Sequence, residues 1–219
     1  MRISKIENQK RRGRWNIYAD GEFLTGVSEE TLLLFGLRTG DELRPDQVDA
    51  LRNAESRTMA RQSAMRLLAQ RPRTVREIRD RLREKEFPDG DITAVIEELQ
   101  RTGLLNDVEF AEMYIRDQLT LRPAGKLLIR RKLLLLGVDK SIAERATEQA
   151  FQTHSQEDSA SALARNYLRK ARSVRTQKDR QQLRRRLSGF LGRRGYPWDT
   201  IQQVLHELFD EEQDAEDSA

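Results

Sequence analysis

The apolar positions of this chain fall into three runs of nearly equal spacing. The first is Ile78, Leu82, Phe87, Ile92 and Ile96. The second is Ile129, Leu133, Val138, Ile142 and Ala146, and the third is Leu187, Leu191, Tyr196, Ile201 and Leu205. The steps are 4, 5, 5, 4, then 4, 5, 4, 4, then 4, 5, 5, 4. A step of four keeps two side chains on one helix face, and the change of period marks a tight turn. Each run therefore predicts a helix, a turn and a second helix. The turns carry Glu86, Phe87 and Pro88, then Gly137, Val138 and Asp139, then Gly195, Tyr196 and Pro197. A further amphipathic segment precedes each run: Ala60, Ala64, Leu67 and Leu68; Phe110, Ala111, Tyr114 and Ile115; Ala160, Leu163, Ala164, Tyr167 and Leu168. The polar connection between segment and run holds Arg71-Pro72 in the first block and Arg122-Pro123 in the second. In the third it is longer and has no such pair.

This pattern predicts a mainly α chain of three tandem three-helix repeats, at 58–102, 105–151 and 156–209, forming an elongated, curved helical array. One such unit has little apolar surface of its own, so a continuous core shared by stacked repeats is expected. Residues 1–57 read differently. Ile3 and Ile6, then Trp15 to Tyr18, then Glu22 to Thr25 predict short strands. Asp20-Gly21 is a hairpin-turn signal, because a type I′ turn needs positive φ at both central positions. Ser28 followed by Glu29 and Glu30 opens a short helix. Pro45 suits the first turn of a longer one, running through Leu51 toward Leu68. The front of the chain is thus a small β-hairpin and helix element.

Composition narrows the function. Charged residues make up 35% of the 219, above the ordinary ~25%, so much surface is solvated. There is no Cys, hence no disulfide framework, thiolate metal site or cysteine nucleophile. The two histidines, His154 and His206, leave little for zinc or a Ser-His-Asp constellation. There is no GxxxxGK[ST] phosphate loop. Carboxylate pairs such as Glu97/Glu98 and Asp107/Glu109 are unremarkable in so acidic a background. No enzyme, cofactor, metal or small-molecule substrate is expected. No apolar run approaches ~18 residues, and the first residues carry no apolar signal core, so a cytoplasmic protein without a membrane partner is expected.

Charge is uneven. Residues 210–219 hold six acids and no base, so 1–209 keeps 40 basic against 30 acidic residues. The body at +10 is distinctly basic, and the last segment reads as a disordered acidic tail, either screening that body or merely solubilising it. From Arg165 to Arg194 there are twelve basic residues and one acid, Asp179. Arg165, Arg169, Lys170, Arg172, Arg175, Lys178, Arg184, Arg185, Arg186, Arg193 and Arg194 are candidates for an anion-binding face, since guanidinium forks suit phosphates and carboxylates. The alternative is a solvated helix surface. Secondary candidates are Lys10, Arg11, Arg12 and Arg14 beside Trp15, together with Arg130 and Arg131. For the first four, an exposed basic turn with Trp15 packed inward is the simpler reading. Arg71, Arg73, Arg76, Arg79, Arg81 and Arg83 interleave with Glu77, Asp80, Glu84 and Glu86, which predicts a salt-bridge-laced face rather than a binding patch. A DNA-reading helix–turn–helix at 74–99 is disfavoured, because its second helix carries Asp91, Glu97 and Glu98 and no base. Tyr196 and Trp198 read as a local core cluster at the Gly195 turn.

Several runs then resemble the RecX family of recombination regulators. One is Arg73, Thr74, Val75, Arg76, Glu77 and Ile78 leading to Leu82 and Phe87. Another is Gly103, Leu104, Leu105, Asn106 and Asp107 followed by Phe110-Ala111. Others are Leu121-Arg122-Pro123-Ala124-Gly125 and the run from Leu187 to Tyr196. The front segment, with Asp20-Gly21-Glu22 and Gly26 to Glu30, is similar to the N-terminal region of longer members. The resemblance implies three three-helix repeats and no catalytic centre. It also implies binding in the helical groove of the RecA–DNA filament and modulation, chiefly inhibition, of RecA ATPase, strand exchange and co-protease activity in DNA repair, homologous recombination and the SOS response. Some members also bind DNA. The alternative carried by the residues themselves is a stand-alone nucleic-acid-binding module built on the basic third repeat, contacting single- or double-stranded DNA directly.

Overall fold

The computed structural model describes residues 1–10, 13–170 and 177–209. The chain divides into two compact units, Met1–Asn106 and Asp107–Ala219. Among the described residues there are three strands and ten helices.

The first unit opens with strands β1 (Ile3–Asn8), β2 (Arg14–Ala19) and β3 (Glu22–Ser28), an antiparallel sheet in that order. Asp20 and Gly21 both take positive φ, 49° and 85°, as the hairpin demands. Ser28 ends β3 and caps α1 (Glu29–Phe35), its hydroxyl accepting from the Thr31 N–H at 3.2 Å. Helix α2 (Pro45–Leu68) is one unbroken helix of 24 residues. Its first half places Val48 and Leu51 against Ile3, Ile17 and Val27 of the sheet. Its second half places Ala60 and Ala64 in the core of the first repeat. The position 57/58 expected to separate the two regions thus lies inside a helix. At its middle Glu55, only 5% exposed, accepts from the Ser28 N–H at 2.7 Å, the Ser28 hydroxyl at 2.9 Å and Arg14 Nη1 at 2.9 Å. That carboxylate staples two strands to the helix.

Helices α3 (Val75–Arg83) and α4 (Asp89–Arg101) complete the first repeat. Thr74 and Glu77 form a reciprocal capping box at the start of α3. Burial works against the Glu77 carboxylate. The Arg71 guanidinium, the Thr74 N–H and the nearby Arg73 charge outweigh it and hold its pKa below the usual range. Asp91, buried near the start of α4, accepts from the Ser56 hydroxyl and from Arg57 on α2. The front of α4 is therefore committed to packing, as its acidic composition predicts.

The second unit holds α5 (Asp107–Leu121), α6 (Lys126–Leu135) and α7 (Lys140–Thr153), then α8 (Gln156–Lys170), α9 (Gln177–Arg193) and α10 (Trp198–Phe209). In all three repeats the last two helices meet through one turn geometry. Phe87, Val138 and Tyr196 donate their N–H to the carbonyls of Leu82, Leu133 and Leu191, five residues back. The residue before each, Glu86, Gly137 or Gly195, takes positive φ. This is the Schellman closure, in which a left-handed residue lets the chain satisfy the last helix carbonyls and turn an apolar side chain inward. The change from steps of four to a step of five is its imprint on the sequence.

One expectation is corrected. Among the described residues the buried apolar positions of repeats two and three, both in the second unit, do not merge into one core. The buried apolar residues separate into one cluster per repeat, centred on Leu82, Leu133 and Leu191, with a fourth under the sheet. The reason is geometric: α4 packs back on α2, α7 on α5 and α10 on α8, so each trio closes its own interior. Repeats two and three instead meet through backbone. The Gly125 N–H donates to the Arg194 carbonyl at 2.8 Å, and the Leu127 N–H to the Gly195 carbonyl at 3.2 Å. Two N–H groups at the start of α6, lacking helical partners, are thereby satisfied by carbonyls at the end of α9. A Cβ at Gly125 would lie 2.3 Å from the Gly195 oxygen, and one at Gly195 2.3 Å from the Leu128 nitrogen.

Candidate anion-binding face on the third repeat

Helix α9 buries Leu187 and Leu191 in the third core. That fixes which of its cations face outward. Lys178, Arg185, Arg186 and Arg193 are exposed and make no ion pair with any described residue. Lys170, at the end of α8, is in the same condition. Four of the eleven candidates thus share the outer face of α9.

Other candidates are occupied by the fold. Arg165 pairs with Glu207 of α10 at 2.6 Å. The Ser161 hydroxyl also donates to Glu207, and the two together hold that carboxyl below the usual range against the cost of desolvation. Arg169 donates to the Asn166 side chain. Arg194 reaches the Pro123 carbonyl at 3.4 Å and lies over the Phe190 ring, so it belongs to the junction between repeats two and three. Arg184 lines the groove between α9 and α10. Arg172 and Arg175 lie outside the described residues.

The secondary candidates are not gathered at this face. Arg14 is engaged by Glu55 and by the Gly26 carbonyl. Lys10 stands at the end of β1, and Arg11 and Arg12 lie outside the described residues. Arg130 approaches Glu144 at 3.9 Å, while Arg131 is exposed. The arginines of the first repeat are tied up as their interleaved acids predict. Arg71 pairs with Glu77 at 2.6 Å, Arg81 with Glu84 at 2.6 Å and Arg83 with Asp89 at 2.9 Å.

A second correction concerns Trp198. Tyr196 is buried, its hydroxyl 2.8 Å from that of Ser159, and burial raises its pKa. It fills the corner of the core at the turn. Trp198, the first residue of α10, is left outside and 66% exposed. It lines a groove of about 410 Å³ with Arg184, Arg185 and Ser188 of α9 and Gln202 of α10. The sequence reading missed this residue because its spacing from Ile201 and Leu205 is that of a core position. Only the tilt of side chains toward the helix N-terminus carries it past the end of the packing. A flat ring flanked by guanidinium groups can stack on a planar group or hold an anion.

Among the described residues no cluster of acids and histidines could hold a metal ion, and no helix is long and apolar enough to cross a membrane. What the fold defines is a helical-repeat protein that carries exposed basic residues along α9. Comparison with known proteins gives it a family. Residues 1–44 match the Regulatory protein RecX N-terminal domain, and 60–99, 106–146 and 155–205 match the first, second and third RecX three-helix domains. The Regulatory protein RecX of Clostridium acetobutylicum is 30% identical over 95% of this chain and 97% of its own length. That of Clostridioides difficile is 28% identical over 95% and 97%. A crystal structure of regulatory protein RecX superposes with a TM-score of 0.71 at 27% identity, covering 96% of this chain and 98% of that one. The RecX of Lactobacillus salivarius shares the fold, with a TM-score of 0.60 over 71% of this chain and 97% of its own. The chain belongs to the RecX family of regulatory proteins.

Proposed function

We propose that this protein binds the RecA–DNA filament through the outer face of α9 and inhibits the filament's ATPase, strand-exchange and co-protease activities. One observation carries the reading. Lys178, Arg185, Arg186 and Arg193 stand exposed on one helix with no acidic partner among the described residues. Self-repulsion makes such a cluster costly unless an anionic partner offsets it. A filament groove offers carboxylates and DNA phosphates together. A protein bridging neighbouring filament subunits there would restrain the movement coupled to ATP hydrolysis and obstruct a second strand. The test is RecA ATPase on single-stranded DNA with this protein added below stoichiometry. Hydrolysis and filament length are expected to fall, and no change in either would overturn the reading.

A second reading, direct DNA binding, is favoured by one feature, the exposed Trp198 beside Arg185. It predicts an affinity for single-stranded DNA that falls steeply with salt on a log–log plot. Negligible affinity at low salt would remove it.

A further inference from the structure

The last helix of each repeat begins at an equivalent position, two residues past Phe87, Val138 or Tyr196. The residues there are Asp89, Lys140 and Trp198, and all three are exposed. Repeats one and two thus place a charged group where the helix start faces water, and Asp89 is held by Arg83 of α3. Repeat three places the bulkiest side chain there, 66% exposed. The position of Arg83, one past the central leucine, is taken by Gly192 in repeat three, so no side chain from that position covers the ring. Among the described residues no aromatic ring or cation stacks on the indole. The fold does not call for a tryptophan here, and leaving one in water forgoes the gain of burying it.

Trp198 shares its groove with groups of matching chemistry. Gln181, Arg185 and Ser188 follow one another at steps of four and three on α9, and Trp198, Gln202 and Leu205 do so on α10, so each trio forms a stripe along one side of the groove. From Gln181 to Ser188 the stripe advances ~10 Å. The volume of about 410 Å³ is that of a small-ligand site. The indole offers a face for a planar group. The Ser188 hydroxyl and the Gln202 amide can each donate and accept. Arg185 is exposed, has no ion pair among the described residues, and offers a fork for a phosphate. A planar group with donors and acceptors on its edge and a phosphate one sugar away is a nucleotide. Inside a duplex both faces of a base are covered by its neighbours, so the indole can stack only on an unpaired one. Groups that donate and accept alike do not select which base.

We propose that the α9–α10 groove takes one unpaired base of a single-stranded nucleic acid, stacked on Trp198 with its phosphate on Arg185. This face then distinguishes single strands from duplex without reading sequence. The proposal rests on the direct-DNA reading above and supplies its contact.

The test compares three labelled strands of about 20 units at ~50 mM salt: oligodeoxythymidine, oligouridine, and an abasic strand with the same phosphates and no bases. The full chain should bind oligodeoxythymidine about ten-fold tighter than the abasic strand, as base–aromatic stacking predicts. Trp198→Ala should remove that ten-fold and leave the affinity for the abasic strand unchanged, which also shows that the variant is folded. Trp198→Phe should restore most of it. Oligodeoxythymidine, but not the abasic strand, should quench tryptophan fluorescence. The other tryptophan is Trp15, which packs against the core under the sheet, so the quench should vanish in Trp198→Phe. Quenching by oligouridine, with or without oligodeoxythymidine, supports the same site and names its source. Equal affinity for the thymidine and abasic strands, or a quench that persists in Trp198→Phe, would overturn the proposal and leave phosphate-driven DNA binding standing. No binding of any strand would overturn both.

Discussion

Repeats one and three share a frame and differ in how their charge is used. Both place a leucine, Leu82 or Leu191, at the centre of a closed three-helix core, and both turn through the same left-handed closure. Both carry an arginine-rich helix. On α3 the arginines have acids beside them, and Arg81 and Arg83 end in ion pairs. On α9 the one acid is Asp179, and Lys178, Arg185, Arg186 and Arg193 face outward unpaired among the described residues. A count of basic residues does not separate the two helices. The complement of acids within reach does, and it turns one into a structural surface and the other into a candidate binding face.

The shared frame can be broken first. Leu82→Ala and Leu191→Ala should each cost about 2–5 kcal/mol, since each deletes a fully buried side chain from an interior that cannot collapse. Urea denaturation would show it, and a large cost at one site with none at the other would deny their equivalence.

The difference in charge is the next target. Arg185→Glu, Arg186→Glu and Arg193→Glu together should weaken filament or oligonucleotide binding by at least about ten-fold, or ~1.4 kcal/mol, while circular dichroism and melting stay unchanged. Arg71→Glu, Arg81→Glu and Arg83→Glu should do the reverse, lowering stability and sparing the affinity. Equal effects from the two triplets would erase the distinction.

Capping gives a smaller effect, confined to the first repeat. Thr74→Ala should cost about 1 kcal/mol by removing the oxygen that receives the Glu77 N–H. Because the folded structure holds the Glu77 pKa below its ordinary 4.5, its contribution is complete above pH ~4.5 and disappears as pH falls through the lowered value. The parent should therefore converge with Glu77→Gln in stability in acid, while the cost of Thr74→Ala, whose hydroxyl does not titrate, should persist there. The smallest expected change is a gain. Glu86 sits at φ 61° where Gly137 and Gly195 stand in the other repeats, so Glu86→Gly should stabilise by up to about 1 kcal/mol in a thermal melt.

Much of this was legible in the sequence because it is local. The turns, the cap at Ser28, the Asp20-Gly21 hairpin and the ion pairs of α3 all join residues a few positions apart. What escaped was set by distant partners. Glu55 meets Arg14 across 41 positions, Arg165 meets Glu207 across 42 and Arg194 meets Pro123 across 71. No spacing rule marks such pairs, so Arg14, Arg165 and Arg194 looked like their unpaired neighbours. The closure of each core within its own repeat escaped for the same reason, since apolar periodicity gives a buried face but not the surface that covers it. Trp198 failed differently: its position obeys the period, but the helix begins there.

The contact of Gly125 with Gly195 has a consequence for how this region tolerates change. Main chain meets main chain there, so the seam reads only the absence of side chains at two positions and leaves neighbouring exposed positions free to vary. A mutational scan should show Gly125 and Gly195 intolerant even of alanine, while an exposed neighbour such as Arg122 accepts change. Gly125→Ala should loosen the seam at a cost of about 3 kcal/mol, although it adds a single methyl group and alters no charge.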